Sequence, residues 1–300
     1  MNDRLKQLAI FVRTAETGSF SKVAREFGLS QPSVSRTIAA LEERLDLKLL
    51  TRTTRQLSLT HPGEVLLSRA RDVLAAVEEA ENAARGADKL SGILRVAMPA
   101  TFGVRQIVPL LPAFLEQHPA LKLDLMMSDR YEDLVAEGAD MAIRFGPQRD
   151  SSFVARKLAT TRRLFVASPA YIARRGAPAR LADLARHHLI GGPTDANDQT
   201  WTASRDGISE TQPVDLRVRA RLAAGAVACA SVGLGIATVS TWMCASELAS
   251  GQLVEVLADY RLDPATAIVV FPAGRRPLQK ARALSDHLAQ AFAAAEEARA

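Results

Sequence analysis

The most constraining feature of the sequence is a helix-turn-helix pattern within its first 60 residues. Gly28 follows a short periodic stretch and supplies a sharp turn, because glycine adopts the left-handed conformation without steric cost. Ser30 is placed to cap the next helix, and Pro32 is tolerated there because first-turn amides have no intrahelical acceptor. The buried face of that helix follows steps of four, three and four through Val34, Ile38, Leu41 and Leu45. The pattern predicts a recognition helix whose exposed N-terminal end enters the major groove of DNA.

The exposed side of this helix carries side chains that can pair with base edges. Glutamine pairs with adenine and arginine with guanine, and an apolar proline edge can contact a thymine methyl group. We call this surface the reading face, and its predicted members are Ser30, Gln31, Pro32, Ser33, Ser35, Arg36 and Thr37. Residues 48–60 are predicted to form a two-stranded wing whose tip offers donors to phosphate oxygens. The predicted phosphate-contacting residues of the wing are Arg52, Thr53, Thr54 and Arg55.

The charge distribution agrees with a DNA-binding N-terminus. The net charge of the chain is +5, and residues 1–60 hold ten Lys and Arg against six Asp and Glu. The positive excess per residue is therefore greatest in the segment that is predicted to meet phosphates. A merely basic surface would give the same excess, so the charge supports the motif but does not establish it.

The N-terminal residues also resemble a known family. The match runs almost continuously over residues 4–63 and includes GSFS, LSQPSVSR, LEERL and the arginine- and threonine-rich wing. These motifs resemble the winged helix-turn-helix of LysR-type transcriptional regulators. The chain departs from the family pattern at His61-Pro62-Gly63, where Glu-Ala usually precedes the glycine, and we expect only the start of the next helix to change.

One long helix is predicted to follow the wing. Residues 64–85 contain no proline or glycine, and apolar residues recur at alternating steps of four and three. This spacing is typical of a coiled-coil seam, although a helix buried within its own domain would show it too. The predicted seam consists of Leu66, Ala70, Val73, Val77, Ala80 and Ala84. The resemblance implies a dimerisation helix here, followed by a hinge at residues 86–92.

The remaining 210 residues alternate strand-like and helical stretches, which indicates an α/β domain with a largely parallel sheet. Strands are predicted at 93–98, 121–127, 141–145, 164–168, 188–190, 214–222, 236–239 and 267–271, and helices at 104–117, 131–138 and 278–295. GILRVAMPATFG and VGLGIATVS are among the segments that resemble the LysR effector domain, whose fold is similar to that of periplasmic binding proteins.

The predicted fold class is thus α/β with an N-terminal winged helix-turn-helix, a long dimerisation helix and a two-lobed effector domain. The predicted domain boundaries are 1–60 for the DNA-binding domain, 61–90 for the linker helix and hinge, and 91–300 for the effector domain. Within the effector domain, residues of about 91–161 and 268–300 are assigned to one lobe and about 162–267 to the other.

A ligand cleft is expected beyond the carboxyl ends of the strands, as in other open α/β sheets. Thr101 follows the first strand and opens a helix, so its hydroxyl and the neighbouring amides can face an anionic group, although Thr101 could instead only cap that helix. Together with Ser128 and Arg144 it would suit a carboxylate or similar small anion. The predicted effector contacts are Pro99, Ala100, Thr101, Phe102, Ser128, Arg144, Phe145, Gly191 and Trp201. A cap that many relatives carry before the helix near residue 223 is replaced here by Arg221-Leu222-Ala223, which makes effector contacts in that lobe hard to transfer.

Other chemistry finds little support in the sequence. Cys229 and Cys244 have apolar neighbours and no metal-like spacing, which favours inert thiols over a redox switch. His187 and His188 lack partners with ligand spacing, so no metal or cofactor is expected. No catalytic motif is present, and we expect the chain not to be an enzyme.

The sequence therefore predicts a transcriptional regulator controlled by a small-molecule effector. Its expected partners are a dyad-symmetric promoter site on double-stranded DNA, a small effector, a second copy of the chain in a dimer or dimer of dimers, and RNA polymerase as a candidate. With no signal peptide and no apolar run near 20 residues, a cytoplasmic location is expected. Two alternatives stay open: a constitutive DNA binder with a vestigial cleft, and a solute-binding or enzymatic α/β protein with an appended helical domain.

Overall fold

The computed structural model describes residues 3–52, 57–84, 90–129, 139–146, 154–193, 200–272 and 277–297. The chain divides into two compact units, of which the first contains residues 1–92 and the second nearly all residues from 93 onward. The helices within the described ranges include none that is long and apolar enough to cross a lipid bilayer.

The first unit consists of three helices, a hairpin and a long helix. Its elements are α1 (Asp3–Thr17), α2 (Phe20–Phe27), α3 (Gln31–Leu45), β1 (Leu50–Arg52), β2 (Leu57–Leu59) and α4 (His61–Ala84). The two strands pair antiparallel with Leu50 opposite Leu59, so the predicted two-stranded wing is confirmed.

The predicted helix ends are also confirmed. The Ser30 hydroxyl accepts a hydrogen bond from the Ser33 amide at 3.3 Å, and Ser19 caps α2 in the same way through the Lys22 amide. Gly28 closes α2 with φ +62°, in the left-handed region that glycine enters at no steric cost. These caps satisfy amides and carbonyls that would otherwise lack partners at the helix ends.

Two residues of the predicted coiled-coil seam on α4 lie in the apolar core of their own unit. Ala70 is 1% exposed and lies in the same apolar core as α1 and α3, and Leu66 packs against that core. The large apolar side chains of α4 that stay exposed are Val65 and Val73, at 53% and 44%, and Val73 is one of the predicted seam residues. In this part of α4 the four-three spacing comes from a helix that is partly buried in its own unit, the alternative to a seam between two chains.

The second unit contains two five-stranded sheets, each with its own helices. The first lobe is built from β3 (Gly92–Met98), β4 (Leu121–Met127), β5 (Met141–Phe145), β6 (Val154–Thr161), β15 (Ala265–Phe271), a helical segment at 100–117 that begins with α5 (Ala100–Phe102) and ends with α6 (Leu111–Gln117), and the last helix, α10 (Gln279–Glu297). The strand order in this sheet is β4-β3-β5-β15-β6, and β3 runs parallel to β5.

The second lobe has the same plan. Its elements are β7 (Arg163–Ala167), α7 (Pro169–Arg175), β8 (Leu189–Gly191), β9 (Thr200–Arg205), β10 (Ile208–Pro213), β11 (Leu216–Arg219), α8 (Ala223–Ser231), β12 (Ile236–Ser240), α9 (Thr241–Ala249), β13 (Val254–Val256) and β14 (Arg261–Leu262). The main sheet has the order β11-β8-β12-β7-β13, and β10, β9 and β14 form a separate three-stranded sheet. The chain passes between the lobes twice, from β6 to β7 and from β14 to β15.

The predicted strands of the second unit are all present, with ends that differ by no more than three residues. The predicted helix at 131–138 lies outside the described residues. The sequence did not predict β6, β9, β10, β13 and β14. Several of these strands, such as β10, alternate between half-buried and exposed side chains and carry few large apolar residues, so they give a weak hydrophobic signal.

Candidate DNA-binding surface and effector cleft

The structure separates the reading face into residues that maintain α3 and residues that are available to a partner. Ser30 and Ser33 are joined by a 2.8 Å hydrogen bond between their hydroxyls, and the Thr37 hydroxyl donates to the Ser33 carbonyl at 2.9 Å. Gln31 and Arg36 are exposed, and within the described part of the chain neither side chain has a hydrogen-bond or ion-pair partner. These two side chains are the ones free to meet base edges.

Pro32 is exposed beside them in the first turn, and Ser35 is half-buried. Because Val34 and Ile38 are fixed in the core on the opposite side of the helix, the direction in which Arg36 points is set by packing.

Glu42 fixes the base of the wing to the recognition helix. One carboxylate oxygen accepts the amides of Leu49 and Leu50 at 2.8 and 3.2 Å, and the other accepts the ammonium group of Lys48 at 3.0 Å. Burial alone would raise the pKa of Glu42, but these hydrogen bonds outweigh it and the pKa lies below its ordinary value. No local pattern in the sequence indicates this role, although Glu42 lies in the LEERL motif.

A second network joins α1 to its neighbours. Arg13 makes a bidentate contact with Glu26 on α2, with both N···O distances at 2.9 Å, and it also donates to Glu16 at 2.7 Å. Arg71 on α4 donates to the same Glu16 at 3.1 Å. Hydrogen bonds from Arg13 hold the pKa of Glu26 below its ordinary value. The three helices are thus connected by charge as well as by the apolar core.

The wing tip falls outside the part of the chain that the structure describes. The backbone of Arg52 ends β1, but its side chain and residues Thr53, Thr54 and Arg55 lie beyond the described residues. Their contact with phosphate therefore stays a prediction.

At the predicted cleft, two of the expected effector contacts are engaged by the protein itself. The Ala100 amide donates to Asp129 Oδ1 at 2.7 Å. The Thr101 hydroxyl accepts a hydrogen bond from the Ala224 amide at 3.0 Å. Leu222, the residue before α8, provides no side-chain cap, so Thr101 of the first lobe caps a helix of the second lobe.

An ion pair also joins the lobes. The two terminal guanidinium nitrogens of Arg105 donate to the carboxylate of Glu247 on α9, at 2.8 and 2.6 Å. Hydrogen bonds from Arg105 lower the pKa of Glu247 to about 2. The Gln106 side chain donates to the Trp242 carbonyl at 3.0 Å, which adds a second link to the same helix.

An aromatic cluster lies beside this pair. Phe102 is fully buried, with its ring centroid 6.0 Å from that of Phe292 in a stacked arrangement and 5.1 Å from that of Phe145 in an edge-on one. The ring centroid of Trp242, in the second lobe, lies 5.2 Å from that of Phe102. Phe102 and Phe145 are thus occupied in holding the lobes together.

The remaining predicted contacts occupy different surroundings. The Ser128 amide donates to the Met98 carbonyl at 3.0 Å, and the Gly191 carbonyl accepts from Ala220 at 2.9 Å, so both lie at strand ends. Pro99 and Arg144 are half-buried. Trp201 is 3% exposed in the core of the second lobe, 5.9 Å from Phe165. Ala100, Thr101 and Asp129 are therefore brought together, whereas Trp201 is not placed with them by any contact described.

The sequence matches two family models. Residues 5–64 match the bacterial regulatory helix-turn-helix proteins of the lysR family, and residues 87–293 match the LysR substrate binding domain. The chain belongs to the LysR family of transcriptional regulators. As a member of this family it combines a DNA-binding domain with an effector-binding domain, and the expectation that it is a regulator and not an enzyme is confirmed by its relatives.

The chain is similar to named members of the family over nearly its full length. It is 33% identical over 287 residues to the HTH-type transcriptional regulator PtxR of Pseudomonas aeruginosa, covering 95% of this chain and 91% of that protein. It is 32% identical to CrgA of Neisseria meningitidis serogroup C, covering 88% of each. The full-length structure of the virulence activator AphB of Vibrio cholerae matches with a TM-score of 0.60 and 29% identity, covering 95% of this chain and 98% of that one.

Proposed function

We propose that this LysR-type regulator reads a dyad-symmetric promoter site as a homodimer or dimer of dimers, with Gln31 and Arg36 as its principal base contacts. The observation that carries the proposal is that these two exposed side chains stand on a helix whose opposite face is locked into the core. Pro32 and Ser35 complete the contact surface, and Ser30, Ser33 and Thr37 keep the helix end in shape. The wing residues Arg52 to Arg55 hold the phosphate backbone.

Dimerisation follows from the same geometry. Two recognition helices reach successive major grooves only if they are about 34 Å apart, which one chain cannot provide. We assign the dimer contact to the exposed side of α4, where Val65 and Val73 are open to solvent. An effector that binds between the two lobes of the second unit would change the angle between the paired DNA-binding units. The regulator is proposed to act in the cytoplasm, with RNA polymerase as a candidate partner at the promoter.

The test of base reading is a titration of the full chain against its own upstream intergenic DNA and against random DNA of equal length. R36A should lose about 1–3 kcal/mol of binding free energy on the specific site and much less on random DNA. R44A, which removes an exposed arginine from the other end of α3, is the matched control and should leave the ratio of the two affinities unchanged. Equal losses on both DNAs in R36A would show that Arg36 contacts phosphate instead of a base.

The constitutive alternative makes a separate prediction. If the cleft is vestigial, no small molecule that raises the melting temperature of the second unit will alter the footprint on DNA. A compound that changes both supports effector control.

A further inference from the structure

The predicted anion site at the start of the helical segment 100–117 is already filled by an acidic side chain of the protein. Asp129 Oδ1 is 2.7 Å from the Ala100 amide nitrogen, the position at which an effector carboxylate was expected. A second carboxylate placed there would meet the negative charge of Asp129 and would compete for a donor that is in use. The site therefore does not suit an anionic group beside Ala100.

The hydroxyl of Thr101, the second expected donor, also has a partner within the protein. The Thr101 oxygen accepts the Ala224 amide from the second lobe, so the hydroxyl is held at the N-terminus of α8. Thr101 follows Ala100 in the chain. Ala100 donates to Asp129, and Thr101 accepts the Ala224 amide near the N-terminus of α8. Asp129 therefore lies at the carboxyl ends of β3 and β4, beside the segment of the first lobe that contacts the second.

The other oxygen of Asp129 is the feature that lacks an explanation. Asp129 Oδ2 is buried, and among the residues that the structure describes it has no hydrogen-bond partner. No arginine or lysine within the described ranges forms an ion pair with this carboxylate either. A buried carboxylate oxygen is an acceptor with up to two lone pairs, and native structures rarely leave such a group without a donor.

We propose that Asp129 selects effectors that carry a hydrogen-bond donor, an ammonium or a hydroxyl group, and that this donor binds Asp129 Oδ2. The inference rests on the proposed effector function of the cleft and names the chemistry that its occupant needs there. A compound with a cationic amine gains both the hydrogen bond and the charge, so it binds more tightly than the matching alcohol. A compound with only a carboxylate is rejected at this position.

The test uses the full chain and simple probes of each class. Thermal unfolding is followed by the fluorescence of Trp201 and Trp242, both in the second unit, in methylammonium chloride, sodium acetate or sodium chloride at equal ionic strength. Methylammonium should raise the melting temperature relative to sodium chloride by about 1–2 °C once its concentration reaches its dissociation constant. Sodium acetate should give no rise.

The variant D129N inverts the expectation. Its amide oxygen can still accept the Ala100 amide, while its NH₂ group replaces the acceptor Oδ2 by a donor. Methylammonium should then lose its effect and acetate should gain one, which a purely structural role of Asp129 would not produce. D124N is the control, since Asp124 lies on β4, the strand that precedes Asp129, and its side chain is 55% exposed. It should respond as the unaltered chain does.

The proposal is overturned if methylammonium and sodium act alike on the unaltered chain, if acetate stabilises it, or if D129N keeps the methylammonium response. The first two comparisons need no variant, so they hold even if D129N does not fold. Binding to the upstream DNA is measured on the same preparation. Loss of specific DNA binding would refute the proposed function, whereas intact DNA binding without a methylammonium response would refute only this inference.

Discussion

Replacing Glu247 by glutamine should destabilise the second unit in a pH-dependent way. Hydrogen bonds from Arg105 lower the pKa of this carboxyl group from 4.5 to about 2. A shift of that size corresponds to at most about 3 kcal/mol of folding free energy at neutral pH. Since the side chains of Arg105 and Glu247 are 28% and 14% exposed, solvent screening reduces the expected loss to about 2 kcal/mol.

The pH dependence follows from the direction of the shift. A carboxyl group whose pKa is lower in the folded state contributes stability above its unfolded pKa of 4.5 and loses it as the pH falls toward about 2. The free-energy difference between the unaltered chain and E247Q should therefore be constant from pH 7 to about pH 5.5 and clearly smaller at about pH 3.5.

Urea unfolding of the full chain measures this difference. The only two tryptophans, Trp201 and Trp242, lie in the second unit, so their fluorescence reports the unit that contains the ion pair. E255Q is the control, because Glu255 pairs with Arg162 at 3.1 Å but the two side chains are 29% and 57% exposed. It should cost no more than about 0.5 kcal/mol. An E247Q deficit of the same size at both ends of the pH range would refute the electrostatic explanation.

Two further predictions concern α4 and the thiols. V73E should convert the dimer to a monomer in sedimentation experiments without lowering the melting temperature of the first unit. A70E should unfold that unit, because it places a charge in the core at a cost of about 3 kcal/mol or more. A V73E protein that stays dimeric would place the interface elsewhere. Hydrogen peroxide should leave DNA binding unchanged, because burial raises the pKa of the Cys244 thiol to about 12 and only the thiolate reacts readily. If peroxide abolishes DNA binding and C244S prevents that loss, the prediction is contradicted.

The first unit could be predicted almost completely from the sequence because its signals are local. Ser30, Gly28 and the apolar steps of α3 each act within a few residues of one another, and the structure contains the expected cap, turn and buried face. The partner of the apolar face of α4 could not be predicted for a related reason. Periodicity shows that one side of a helix is buried, but it does not show whether the partner is another chain or, as for Ala70, the same one.

The loops predicted to line the effector cleft could be placed from the sequence, but the partners of their side chains could not. The position of Thr101 after a strand was correct, yet the sequence gives no sign that its hydroxyl would cap α8, 123 residues further along the chain. The Ala100–Asp129 contact and the Arg105–Glu247 pair are likewise long-range, with the second spanning 142 residues. Such contacts depend on how two sheets meet, which no short pattern records.

The shared core of α4 and the reading unit has a mechanical consequence. Because Ala70 is buried among the residues that support α3, and Arg71 is tied to Glu16, the first half of α4 and the recognition helix form one rigid lever. A rotation of α4 therefore rotates the reading face with it. If two such levers cross at the proposed dimer contact, a small change of crossing angle would change the separation of the two reading faces. The regulator would then adjust the operator spacing that it accepts while each reading unit stays fully folded.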